Sequence, residues 1–515
     1  MISHRITIRS VDFGPQPRGT VLTSYISYPL KYKIDQSSHS TTESFVLSGI
    51  EKFGGVFLTF LFNLLLARLY LSPYEFGIVG IVTVFVALAN TTTIGGLREA
   101  IIQSKELSKN DIDTVFSFNL VVSLLMYVLL YFLAPYIASY YKQPILSELL
   151  RVLSLIIILN AFVIVPNGLF IREMRFRSLL RIGISSQLLC YSIGVFMAYR
   201  GMGVWSLVAV NIVDVLYKAV VYNLSFPRRL TIKVDKDSFH RLFSFGGYIY
   251  LASLVNTLYD NVLYLILGKN FKTETVGYYT QAQKLQGVPT GTVGSVISQV
   301  ALPTFSRLQS DTSSLRVAFM KNQAVISFVS VLIMGLLFSI GEPVILILYT
   351  DKWAASIEIF QWLCVAGVFQ SVCGMQLELI KSLGKGRMVF RLTAFSRALA
   401  IISLILLSSI SLRAVMMGFC AVYVIFFAVN SLFVSKIIKL ELSAVVLPHL
   451  REVIVGALSC FVSVATCSFF HLTYISSLFI LGILFTILYI SLSLLLRSPG
   501  CYIMIRSLKL NNRLV

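Results

Sequence analysis

The sequence predicts an all-α polytopic membrane protein. It should have about 14 transmembrane helices, in two parallel six-helix lobes around a central cavity, plus a C-terminal helix pair. Three observations carry that prediction. The 515 residues are 57% hydrophobic but only 13% charged, with a mean hydropathy of +0.82, whereas soluble domains carry about 25% charged residues. Apolar runs of about 20 residues recur along the chain, each long enough as a helix to cross a ~30 Å hydrocarbon core. Finally, the second half repeats local phrases of the first in the same order.

Residues 1–43 are polar, with Pro15, Pro17, Pro29 and five basic residues. They lack the continuous apolar stretch of a secretion signal and read as a cytoplasmic tail, or else as the product of an over-long start assignment. A first lobe, 44–223, then holds the spans Phe45–Ala67, Phe76–Gly96, Val115–Ile137, Leu149–Ile171, Ile182–Tyr199 and Val204–Tyr222. A basic cytoplasmic linker, 224–242, leads to a second lobe, 243–434. Its spans are Phe243–Leu267, Val276–Leu302, Ala318–Ile340, Ile357–Ile380, Val389–Ile410 and Ala414–Val434. The eighth span is interrupted by Lys284, Pro289 and three glycines. The remainder, 435–515, contributes the pair Val453–Phe470 and Ile475–Leu496 and a basic tail.

Orientation follows from charge. We counted the span-end residues Lys321 and Arg391 with the adjoining loops, and Arg68 with the first span. With the N-terminus inside, 31 of the 43 Lys/Arg then fall in inward loops and tails, and six in outward loops. One missed span would invert every later loop, so the bias places both termini in the cytoplasm. It also explains the net charge of +20 without nucleic acid, because the cations sit in short loops between apolar segments.

The repeat pairs Phe53-Gly54-Gly55 with Phe245-Gly246-Gly247, and Phe76-Gly77 with Val276-Gly277. Ala134-Pro135-Tyr136 is echoed by Glu342-Pro343-Val344, and Arg175-Phe176-Arg177 by Arg387-Met388-Val389-Phe390-Arg391. An even number of spans per half makes the repeat parallel, an architecture used by transporters that alternate access to a central site.

No enzyme is expected. Gly384-Lys385-Gly386 lacks the rest of a P-loop, the five histidines form no H-E-x-x-H, and the seven cysteines form no C-x-x-C. The longest outward loop, Gly341 to Ser356, is too short for a catalytic domain. Charged groups inside spans mark function or pairing. Asp260, with Asn256 one turn earlier, either binds a proton or sodium ion or pairs with a cation. Lys284 and Gln281 form a polar helix face that suits cavity lining. Arg98 and Arg397 suit either phosphate, through the planar guanidinium fork, or helix-end anchoring. Asp214 and Lys218 are spaced to neutralise each other. Glu51 and Lys52 read as the inner mouth of the cavity, and Arg68 as snorkelling to the outer surface. Arg172, Arg175, Arg177 and Arg181 give the positive-inside signal, with anionic lipid headgroups as a secondary contact.

Four phrases then suggest a family. Gly95-Gly96-Leu97-Arg98-Glu99-Ala100-Ile101-Ile102-Gln103 resembles the G-x-x-x-A-x-I-Q turn of Wzx-type polysaccharide flippases. Leu169-Phe170-Ile171-Arg172-Glu173-Met174-Arg175-Phe176 resembles their L-x-R-E-M-R-F stretch. Gly277-Tyr278-Tyr279-Thr280-Gln281-Ala282, followed by Pro303-Thr304-Phe305-Ser306-Arg307, resembles the two signatures of their eighth span. The resemblance covers residues 44–440 and lies within the multidrug/oligosaccharidyl-lipid/polysaccharide exporter superfamily, nearest its colanic-acid and teichuronic-acid exporters. It implies that polyprenyl-diphosphate-linked oligosaccharide repeat units are flipped from the inner to the outer leaflet of a bacterial plasma membrane for surface polysaccharide synthesis. It further implies Arg98, Lys284 and Arg397 as substrate contacts and Asp260 as an ion-coupling candidate for Na+ or H+, with no other cofactor. The implied partners are the lipid-linked oligosaccharide, membrane lipids, a polysaccharide polymerase and a chain-length regulator, with no nucleic acid. Alternative readings are a cation-coupled multidrug exporter, whose cavity would hold several acids, a flippase for the peptidoglycan precursor, and a membrane polymerase, which would need a long outward loop.

Overall fold

A computed structural model describes residues 41–511 apart from 95, 105–106, 226–229 and 471–472. The N-terminal tail expected over 1–43 lies almost wholly outside the described residues, as do the side chains of Glu51 and Lys52.

The chain folds into eighteen described α-helices. These are α1 (Thr41–Leu69), α2 (Pro73–Ile94), α3 (Leu97–Gln103), α4 (Lys109–Tyr140), α5 (Ile145–Leu153), α6 (Leu155–Arg172), α7 (Phe176–Tyr199), α8 (Val204–Ser225) and α9 (Lys236–Asn270). They continue as α10 (Thr273–Arg307), α11 (Thr312–Ser339), α12 (Gly341–Tyr349), α13 (Ser356–Ser382), α14 (Gly386–Leu407), α15 (Leu412–Ile438), α16 (Leu442–Ser468), α17 (Tyr474–Leu495) and α18 (Pro499–Asn511). Among the described residues no strand occurs. With α5 and α6 taken as one broken span, the long helices coincide with the fourteen expected spans. Among the described residues, eleven of them are long and apolar enough to cross a membrane. The others are α1 and α9, parts of which lie outside the described side chains, and α10, whose polar residues lower its hydropathy.

Helix ends run past the apolar runs because polar caps, not hydrophobicity, terminate them. Ser108 and Asp111 form a reciprocal capping box that starts α4 six residues before Val115. Asp235 caps α9 by accepting from the Ser238 backbone N–H at 2.9 Å, so the helix begins seven residues before Phe243. The hydroxyl and backbone N–H of Ser238 hold the Asp235 carboxyl below its usual range. The eighth span is not broken: α10 runs unbroken through Pro289 and Pro303. The third continues through Pro135.

The extended segment before α9 is strapped along the first turns of α4. Thr231 donates to Asp113 through its backbone and its hydroxyl (3.1 and 2.5 Å), Lys233 N–H to Ser117 Oγ (2.8 Å), and Asp235 N–H to Thr114 Oγ1 (3.0 Å). Arg241 closes the strap on Asp111 at 2.5 Å. Of the two buried carboxylates, Asp111 is thereby ion-paired and Asp113 hydrogen-bonded, which offsets the cost of burying them.

At the end of the bundle that the charge pattern predicts to be outward, α2 and α10 cross with their backbones in contact. A Cβ on Gly77 would stand 2.0 Å from the Thr273 carbonyl oxygen, and one on Gly277 1.9 Å from that of Pro73. Each glycine follows its own helix start by four residues, so the two repeated phrases meet as a pseudo-symmetric pair. Only a residue without a side chain permits that approach. The Gly341 to Ser356 loop adds α12 and a 3-10 turn, Asp351–Trp353, that fills the same region. Trp353 is fully buried against Phe76, Tyr278 and Tyr349. Its indole N–H donates to Ala67 at 3.0 Å, and Lys352 donates to Leu71 and Arg68 carbonyls at 2.9 and 3.2 Å. Arg68, exposed at the end of α1, returns the contact by donating to the Ile347 and Leu348 carbonyls.

The C-terminal pair packs on α11 through Gly335 against Phe485 and Gly456 against Val331. Its polar centre is Glu452, which accepts from Tyr489 at 2.8 Å and from Ser498.

Candidate functional site

The face of α10 that carries Lys284, Gly287, Gly291 and Ser295 is exposed, with successive members three or four residues apart. Nothing lies within 4 Å of a Cβ built on Gly287, Gly291 or Gly294. Pro289 lacks an N–H, so the Leu285 carbonyl has no helical partner. In a membrane-spanning helix such a carbonyl must meet water or protein. The eighth span is therefore too polar and too rich in glycine to be a lipid-facing helix, and those same residues border open space.

Lys284 stands at the top of this face, at the junction of α1, α2 and α10. Its ammonium donates to Asn63 Oδ1 at 2.8 Å and lies 5.5 Å from the centre of the Phe76 ring. Asn63 is in turn oriented by donating to the Thr59 carbonyl at 2.7 Å, and the Thr59 hydroxyl is hydrogen-bonded to Tyr191 of α7 at 2.7 Å. Among the described residues no carboxylate pairs with Lys284, so its charge remains available to an anion. Gln281, expected beside it on one polar face, is instead buried, and among the described residues neither polar atom of its side chain has a partner.

A second cationic station joins α9 to α14. Arg397 donates to Asn256 Oδ1, and its guanidinium lies 5.0 Å from the centre of the Tyr259 ring. Asp260, one residue on, is exposed and feels the Arg397 charge. The fold thus brings Arg397 to Asn256 and Asp260, about 140 residues earlier in the chain. Lys284 and Arg98 are not part of that cluster. Arg98 lies on α3 near the opposite end of α2, where Gly96 turns the chain in the left-handed conformation. It pairs with Glu99 at 2.8 Å and packs against Gly168 of α6. Asp214 and Lys218 form the expected ion pair at 2.6 Å, and Ser186 donates to the same carboxylate.

Sequence reasoning missed Asn63, Tyr259 and the contact of α2 with α9 through Thr91 and Thr257 at 3.0 Å. A polar residue inside an apolar run was the available signal for Asn63 and Thr91. Nothing local marks Tyr259, one of 25 tyrosines.

Comparisons with known proteins agree with this architecture. The chain is 26% identical over 353 residues to the lipopolysaccharide biosynthesis protein WzxC of Escherichia coli K12, covering 66% of this chain and 70% of that one. It is 26% identical over 388 residues to the teichuronic acid biosynthesis protein TuaB of Bacillus subtilis 168, covering 72% and 78%. The solved structure of the lipid II flippase MurJ in an inward closed conformation superposes with a TM-score of 0.66 at 15% identity, covering 88% of this chain and 99% of that one. The fold is that of a helical membrane transporter. The model of the polysaccharide biosynthesis protein family matches residues 65–358, more than half of the sequence, and the chain belongs to that family.

Proposed function

We propose that the protein flips polyprenyl-diphosphate-linked oligosaccharide repeat units from the cytoplasmic to the outer leaflet of a bacterial plasma membrane, by alternating access. The observation that carries this reading is Lys284, a cation without a carboxylate partner on an exposed glycine-rich helix face inside a transporter fold. A diphosphate headgroup crossing the bilayer needs fixed positive charge along its route, since an unpaired charge in hydrocarbon costs several kcal/mol. Arg397 with Asn256 takes the phosphate or the adjoining sugar, and Lys284, nearer the outward end, holds the headgroup later on the route. Arg98 is a contact near the cytoplasmic mouth, reached when its bond to Glu99 opens.

Both termini lie in the cytoplasm in this reading, the orientation that the loop charges support. Asp260 senses Na+ or H+, because protonation or cation binding there alters the field at Arg397. No step of bond making or breaking is assigned to the chain, and a polymerase and a chain-length regulator act on what it delivers. Two cationic stations suit an anionic cargo and oppose an organic cation.

The test is headgroup accessibility in proteoliposomes loaded with lipid-diphosphate oligosaccharide. Movement should depend on the protein and fall about 10-fold or more in Lys284→Ala, with Lys284→Arg retaining most of it, as loss of one charge-assisted hydrogen bond implies. Absence of movement together with efflux of small organic cations would replace this reading with that of a drug exporter.

A further inference from the structure

A second cationic region lies away from the cavity. The turn between α13 and α14 and the first turns of α14 line a groove of about 830 Å³ against α15. Lys385, Arg387 and Arg391 form its polar end, and all three are exposed. Met388, Leu392 and Phe395 of α14 and Val429 and Phe433 of α15 form its apolar walls. Phe395 and Phe433 remain 49% and 41% exposed, so the walls face the surroundings of the bundle. Arg391 and the cavity residue Arg397 are six positions apart, about 120° around the helix, and the groove therefore opens away from the cavity.

The matching turn in the first half provides an internal control. There Arg175 pairs with Glu173 at 2.7 Å, and Arg172 donates to the Ile101 carbonyl at 2.8 Å. No acid occupies the first turn of α14. Among the described residues, Lys385, Arg387 and Arg391 have no side-chain hydrogen bond or ion pair. Three cations also sit at a helix N-terminus, whose dipole repels them. In the second half Lys381 is likewise paired, with Glu378 at 2.8 Å, but Lys385, Arg387 and Arg391 are left for an external anion.

We propose that this groove is a binding site for an anionic glycerophospholipid. The phosphate sits among Lys385, Arg387 and Arg391, and an acyl chain runs along Leu392, Phe395 and Phe433. The combination of a basic pocket with an apolar wall on adjacent membrane helices matches the two ends of such a lipid and of no soluble anion. The leaflet, which would be the cytoplasmic one, rests on the orientation proposed above; binding itself does not.

The experiment is a titration of the purified full chain in neutral detergent with phosphatidylglycerol, read by native mass spectrometry, with phosphatidylcholine in parallel. Wild type should prefer phosphatidylglycerol, and Lys284→Gln should keep that preference. The triple variant Lys385→Gln, Arg387→Gln, Arg391→Gln should bind it ~100-fold more weakly, since three surface cations at about 1 kcal/mol each toward an anionic lipid convert to that factor. If the triple variant does not fold, Arg391→Gln alone should weaken binding. In addition, Phe395→Trp emission should be quenched by brominated phosphatidylglycerol but not by brominated phosphatidylcholine. Unchanged affinity in the triple or single variant overturns the proposal. So does displacement of the phospholipid by millimolar inorganic phosphate, which would make the groove an ion site only. Displacement by polyprenyl diphosphate at equal concentration would assign the groove to the transported lipid instead.

Discussion

A single side chain in this protein is read through the partner that the fold supplies. Arg68 and Arg98 each end a predicted span, yet Arg68 is held by the carbonyls of α12 and Arg98 by its neighbour Glu99. Asp311, which caps α11, shows how far local contacts reach. It accepts from the backbone N–H groups of Ser313 and Ser314 and from both hydroxyls, and the serine hydroxyls hold its carboxyl down to about 2. A carboxylate depressed in the folded state stabilises that state fully above its unfolded value of 3.8, and this contribution disappears as pH falls through about 2. Asp311→Asn should therefore lower the thermal midpoint in detergent at pH 6. The difference from wild type should narrow between pH 4 and pH 2, and a difference that stays constant over that interval would refute the assignment.

At the scale of the element, the repeated Phe76-Gly77 and Val276-Gly277 phrases acquire a physical cause. They are the contact points of a crossing between α2 and α10 in which each glycine faces a backbone carbonyl of the other helix. Gly277→Ala forces a methyl into space occupied by the Pro73 carbonyl, an overpacking that costs about 1–3 kcal/mol. A lowered thermal midpoint, with Gly77→Ala behaving likewise, is the expected result. Gly291→Ala, where the space is open, should change stability little, and equal losses at Gly277 and Gly291 would count against the crossing. The α4 strap has the same character: Asp113, Thr114 and Ser117 at the start of α4 receive the segment before α9.

Across the whole molecule, these contacts gather at one end. The α2–α10 crossing, buried Trp353 and the bonds of Lys352 and Arg68 tie the first half to the second where the charge pattern predicts the outer surface. Separating the halves there requires all of these contacts to break together. Lys352→Met combined with Trp353→Ala should weaken that seal and favour opening at this end. A cysteine introduced at Gln283, near Lys284, should then react faster with a membrane-impermeant thiol reagent added outside intact cells. Unaltered labelling would mean that the belt does not control access.

The sequence by itself determined the fold class, the fourteen long helices and the duplication, because hydrophobic length and loop charge are local quantities that a bilayer reads one segment at a time. It also singled out Lys284, Asp260 and Arg397, since an ionisable residue in an apolar run is conspicuous wherever it points. The tertiary structure alone decided what each of them meets. Asn63 reaches Lys284 across 221 residues and Asn256 reaches Arg397 across 141. No periodicity encodes contacts at such separations, because they depend on how already-formed helices pack. The helix ends were likewise settled by capping and strapping side chains, whose hydrogen bonds outweigh the hydropathy of the flanking residues.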